Sequence, residues 1–103
     1  MLVTQRFEDL PLHDAILEGI SIQWDRSRCI LTVAAFVTRG EPAQPCVLTF
    51  DRISRVVVPH EEPWGRSGHI YGQRSGADGM YVIEMQSGDE IQITAGSFDF
   101  ARV

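Results

Sequence analysis

Hydrophobic and polar residues alternate along most of the chain, which is the pattern of half-buried β-strands. The alternation is cleanest at residues 90–95, where two isoleucines lie between polar neighbours. Turn residues separate the successive runs. Together they predict an all-β single domain (1–103), an antiparallel sandwich or barrel of seven to eight short strands. The predicted strands are 14–25, 29–38, 46–50, 53–58, 69–73, 80–86, 90–95 and a last edge strand in 98–103.

Three details of these strands can be read from the pattern. In residues 14–25, the side chains that fall on one face are Ile16, Ile20, Ile22 and Trp24. Residues 29–38 are apolar on both faces, which is typical of a central strand. The sequence Ser87-Gly88-Asp89 predicts a hairpin turn, because glycine adopts positive φ without steric cost.

The start of the chain allows a second interpretation, an α+β fold with one short N-terminal helix. Asp9 could cap a two-turn helix that carries Pro11 in its first turn and ends before Gly19. Leu12 and Ile16 would then share the buried face of that helix.

Charge narrows the expected partners. The net charge is −5, and all nine basic residues are arginines scattered along the chain. Binding to a phosphate backbone or an anionic membrane needs clustered positive charge, so we expect neither nucleic acid nor membrane as a partner. We expect a protein partner, and a basic one. Pairing of exposed edge strands would also permit a homo-oligomer.

The expected location is the cytoplasm. Arg6, Glu8 and Asp9 interrupt the N-terminal apolar run, unlike a secretory signal. Two cysteines would then be reduced. A hairpin centred near residue 42 would place Cys46 opposite Thr38 and leave Cys29 about eight residues away, beyond disulfide reach. We therefore predict two free thiols.

Residues 59–72, PHEEPWGRSGHIYG, contain the densest candidate chemistry. His60 and His69, with His13 earlier in the chain, could contribute to a metal-binding protein or a metal-dependent hydrolase. Zinc sites usually include a closely spaced ligand pair, such as HxH or CxxC, and the sequence has none. It also lacks the common nucleophile and phosphate-binding motifs. We therefore predict no cofactor, no metal and no catalytic residue.

The same segment is built to orient a tryptophan. Pro59 should end a strand, and Pro63 should hold Glu62 in an extended conformation. Trp64 would then either cover one open end of the core or anchor a partner, and the first interpretation is favoured. Aromatic residues and arginine dominate interface hot spots. The candidate binding residues are Trp64, Arg66, Tyr71, His60 and His69.

Three stretches carry a resemblance: LHDAILEGISIQWD, EPWGRS and IEMQSGDEIQI. They resemble a group of small uncharacterised bacterial β-rich proteins and, more faintly, an immunity-protein family encoded beside bacterial polymorphic toxins. The resemblance implies a compact protein that binds and neutralises a partner. The matching positions are His13, Asp14, Pro63, Trp64, Gly65, Ser67, Ser87, Gly88 and Asp89. We therefore expect a non-enzymatic protein-binding module.

Overall fold

The fold is all-β, as the alternating pattern predicts. The computed structural model describes residues 5–103, so the first four residues of the predicted domain lie outside it. Two four-stranded antiparallel sheets run in the orders β1-β2-β3-β8 and β4-β7-β6-β5. The strands are β1 (Ile16–Gln23), β2 (Arg28–Ala35), β3 (Gln44–Asp51), β4 (Arg55–Val57), β5 (Ile70–Ser75), β6 (Met80–Met85), β7 (Glu90–Thr94) and β8 (Ser97–Arg102).

The alternative with an N-terminal helix is wrong. Between residue 5 and β1, the structure has one 3-10 turn, Phe7–Asp9, and the chain from there to residue 15 is irregular. Leu10 and Leu12 are both buried, yet residues two apart lie on opposite sides of a helix. The side-chain amide of Gln73 donates to the carbonyls of Phe7, Glu8 and Leu10, which supplies partners that a helix would have supplied internally. No helical segment within 5–103 has the length and apolar character to cross a membrane.

The expected apolar face of β1 is confirmed at Ile20 but wrong at Ile16 and Ile22, which are exposed. A β-bulge at Glu18 inserts one extra residue, so the alternation changes phase within the strand. Leu17 and Ile20 pack against the core, whereas Ile16 is exposed. Trp24 lies beyond the strand in a 3-10 turn, with 89% of its surface exposed.

The two cysteines are free and buried, as predicted, but the register between their strands is different. β2 is central, between β1 and β3, and it ends at Ala35 rather than residue 38. Cys46 therefore pairs with Val33, and Cys29 pairs with Phe50. The two positions are four residues apart along the ladder, about 13 Å at ~3.3 Å per residue, which still exceeds disulfide reach.

The sheets pack face to face and are hydrogen-bonded to each other at one corner. Phe50 of β3 and Tyr81 of β6 bring their ring centroids within 5.3 Å across the core. At the corner, Leu17 donates its N–H to the carbonyl of Gly68 at 2.9 Å. Ile70 donates to the carbonyl of Ala15 at 2.8 Å. This closed corner positions the segment between β4 and β5, residues 58–69, which we call the tryptophan loop.

Candidate functional site

One carboxylate of the β6–β7 turn holds the tryptophan loop in place. Asp89 accepts hydrogen bonds from the N–H groups of Glu61 at 2.9 Å and Glu62 at 3.0 Å. It also accepts one from the hydroxyl of Ser87 at 2.8 Å. These bonds, the Glu61 N–H first, lower the pKa of Asp89. The loop is therefore attached to the turn by an ionised group with three donors.

Glu62 makes a tight turn, so the prediction that Pro63 holds it extended is wrong. Its φ is +50°, in the left-handed region that costs a non-glycine residue about 1 kcal/mol or more. Its carbonyl accepts from Gly65, and its carboxylate accepts from the N–H of Ser67 at 3.1 Å. The other carboxylate oxygen lies 3.2 Å from Nε2 of His60. These contacts offset the backbone strain and fix the path into Trp64.

Trp64 points outward, and its favoured interpretation as a cover for the core is wrong. The backbone N–H of Trp64 donates to the carbonyl of Ser87 at 2.9 Å. Its indole lies against Gly88, since an added β-carbon there would be 2.8 Å from Cδ2 and 3.1 Å from Cε2. Even so, 79% of Trp64 remains exposed. The loop lines an open pocket of about 320 Å³ at the corner of the sandwich, and the indole lies outside that pocket.

A cleft of about 630 Å³ opens beside the indole, and we call it the Trp64–Tyr71 cleft. Tyr71 is the extra residue of a register shift between Ile70 and Gly72 at the start of β5, and it is 61% exposed. His13 donates from Nδ1 to the carbonyl of Tyr71 at 2.6 Å, and its ring meets the Tyr71 ring edge-on at 6.0 Å. The backbone beneath Tyr71 is therefore tied to the segment that precedes β1.

The cleft is acidic. Glu84, Asp89 and Glu90 line it, and Arg74 is the guanidinium that contacts Glu84 at 2.8 Å and Glu90 at 3.4 Å. Three carboxylates and one guanidinium leave a local net charge of −2. Asp14 adds a further carboxylate at the rim, where its Oδ1 accepts from the side chain of Gln86 at 2.7 Å.

The structure brings together only two of the five predicted binding residues. Trp64 and Tyr71 line the same cleft, whereas His60 lines the smaller pocket beside the loop. His69 donates from Nδ1 to the carbonyl of Asp14 at 3.2 Å, next to the closed corner. Arg66 is exposed within the tryptophan loop.

Sequence reasoning missed Glu84 and Glu90, which are opposite each other in the β6–β7 ladder. A hairpin turn at residues 87–89 would pair Glu90 with Gln86, because antiparallel neighbours count outward equally from the turn. The observed register is instead centred on Ser87, so the predicted turn does not identify this pair. The position of Tyr71 in the same cleft also requires knowledge of the sheet order.

The histidines that suggested a metal site do not come together. His13 is bonded to Tyr71, His60 to Glu62 and His69 to Asp14. Among the described residues, no group of three or more His, Cys, Asp or Glu side chains is placed to hold a metal ion.

No protein-family model, curated protein or solved structure matches this chain. The resemblance to immunity proteins therefore stays a prediction. Four of the nine positions that carry it, His13, Trp64, Gly88 and Asp89, line one cleft.

Proposed function

We propose that this protein is a non-enzymatic, cytoplasmic protein-binding module that uses the surface around Trp64 and Tyr71. The observation that carries the proposal is the state of Trp64, which is 79% exposed. Despite this exposure, its backbone N–H is hydrogen-bonded to Ser87 and its ring packs against Gly88. Exposed apolar surface of this size, placed next to a second exposed aromatic residue, is typical of an interaction site.

Preorganisation gives this arrangement its value for binding. Ordering a flexible side chain at an interface costs about 0.5–1.5 kcal/mol. Trp64 is already ordered in the free protein, because Asp89 is hydrogen-bonded to the loop and the indole packs against Gly88. A partner that covers Trp64 would gain its buried area with little further ordering.

The charge of the site supports a basic protein as the partner. The cleft carries three carboxylates and the whole chain has a net charge of −5. Such a surface repels phosphate groups and attracts cationic surfaces, with faster association at low salt.

Within this class, we favour an immunity-like role, in which the partner is a toxin domain encoded beside the gene. The support is that each of the three resembling stretches contributes at least one residue to the lining of one cleft. Co-expression of the protein should restore growth of cells that make the neighbouring toxin, and Trp64→Ala should restore it poorly. Undiminished growth arrest with the unaltered protein, or the absence of any neighbouring toxin, would contradict this narrower proposal.

The broader proposal is tested by photocross-linking in the source cell. Benzoylphenylalanine is substituted for Tyr71 in one variant and, as a control, for Trp24, which is even more exposed, in another. We expect the Tyr71 position to capture one protein reproducibly and the Trp24 position not to do so. The same captured set from both positions, or none from Tyr71, would show the proposal to be wrong. Cross-links between copies would identify a homo-oligomer, which stays a prediction.

A further inference from the structure

We infer that the Trp64–Tyr71 cleft binds a guanidinium group, supplied by an arginine side chain of the partner; this inference rests on the proposed protein-binding function. Two features of the cleft carry it: two exposed aromatic residues and three carboxylates line it. Its volume of about 630 Å³ lies within the ~300–1,000 Å³ that small-ligand sites usually occupy.

The aromatic side chains favour a planar cation. Cations are attracted to the faces of tryptophan and tyrosine rings, and arginine stacks on such faces more often than lysine. The indole of Trp64 rests against Gly88 and leaves 79% of its surface free. Tyr71, whose backbone is held by His13, provides the second ring.

The carboxylates favour a guanidinium because they already bind one. Glu84 and Glu90 pair across β6 and β7, and Arg74 of the neighbouring strand reaches both. The contact with Glu84 is 2.8 Å, but the two contacts with Glu90 are 3.4 and 3.5 Å. Each carboxylate can accept several hydrogen bonds, so Arg74 leaves Glu90 with acceptor capacity for a second cation.

The balance of charge also favours a cation over a neutral group. Arg74 compensates one of the three carboxylates that line the cleft. Asp89 is already bonded to three donors that hold it ionised. An incoming cation would therefore be attracted by the net negative charge without needing to displace Arg74.

The test is a titration with two capped tripeptides, acetyl-Gly-Arg-Gly-amide and its citrulline analogue, followed by NMR of the indole N–H groups. Citrulline has nearly the shape of arginine but no charge. The chain has two tryptophans, so Trp24 reports non-specific effects in the same spectrum. We expect the Trp64 signal to shift saturably with the arginine peptide, about tenfold weaker binding of citrulline, and a stationary Trp24 signal.

Variants assign the two parts of the site. Glu84→Gln should weaken binding of the arginine peptide several-fold, whereas Glu41→Gln, in the exposed loop before β3, should not. Because Glu84→Gln also loses its contact with Arg74, its folding is checked by its melting temperature. Lysine substituted in the peptide should bind more weakly than arginine.

Equal binding of the arginine and citrulline peptides, or no saturable shift of Trp64, would overturn the inference. So would an equal effect of the two glutamate variants. These failures leave the photocross-linking result unaffected, because that experiment detects a protein partner whatever group occupies the cleft.

Discussion

Substitution of Gly88 by alanine tests whether the β6–β7 turn positions Trp64. Gly88 has a φ of +94°, and a β-carbon there would lie 2.8 Å from the indole and 2.9 Å from Cγ of Pro63. Such distances force the tryptophan to move. Gly40 provides a matched control, because its φ is +81° and an added β-carbon would meet no atom within 4 Å.

The difference between the two variants isolates the contact. In both variants, alanine at a positive φ introduces backbone strain of about 1–2 kcal/mol. Both substitutions also lower the entropy of the unfolded chain by a similar amount, so these two effects cancel in the comparison. Gly88→Ala alone also loses the packing of the indole. About a fifth of Trp64 is covered, since 79% is exposed. A fifth of ~250 Å² is about 50 Å², or about 1 kcal/mol at ~25 cal/mol per Å².

We therefore expect Gly88→Ala to lower the free energy of unfolding by about 1 kcal/mol more than Gly40→Ala. The measurement is urea unfolding, in a Trp24→Phe background in which Trp64 is the sole tryptophan. Acrylamide should quench Trp64 fluorescence more strongly in Gly88→Ala than in Gly40→Ala. Equal losses of stability with equal quenching would refute the claim that the turn holds the indole.

Three other predictions address the loop, the N-terminal segment and the core. Asp89→Asn should lower the melting temperature by several degrees and expose the tryptophan loop to proteolysis, whereas Asp99→Asn on β8 should do neither. Hydrogen bonds from the hydroxyl and N–H of Ser75 lower the pKa of Glu8 to about 2 from 4.5. Stability from this pairing is present above pH 4.5 and is lost as the pH falls through 2, so Glu8→Gln and the unaltered protein should differ near neutrality and converge below pH 2. A difference that stays undiminished below pH 2 would contradict that assignment. Burial raises the pKa of the thiols of Cys29 and Cys46, so neither should react with Ellman's reagent until the protein unfolds.

The sequence predicts the strands well where alternation and turn residues agree. Strand β7 and the turn at Ser87–Asp89 follow from period-two spacing and from one glycine that can adopt positive φ. These features depend on neighbours within a few residues, so the local sequence contains them.

The sequence fails where distant segments decide the outcome. Alternation in β1 looks regular, but the bulge at Glu18 changes which face is buried. The conformation of Glu62 is set by Asp89, which lies 27 residues away along the chain. The same turn also sets the position of Trp64, through a hydrogen bond from its backbone N–H to Ser87 and the packing of its indole against Gly88. Proline and glycine around Trp64 indicate a rigid loop, yet its direction depends on contacts that no local pattern contains.

The most direct test of the central claim, that Trp64 is a preorganised anchor for a protein partner, is the affinity of the captured partner for Trp64→Ala. We expect calorimetry to show a Kd raised by about 30-fold or more, the size typical of a hot spot at ~2 kcal/mol. Trp24→Ala should leave that Kd unchanged. An unchanged Kd for a folded Trp64→Ala variant would contradict the account.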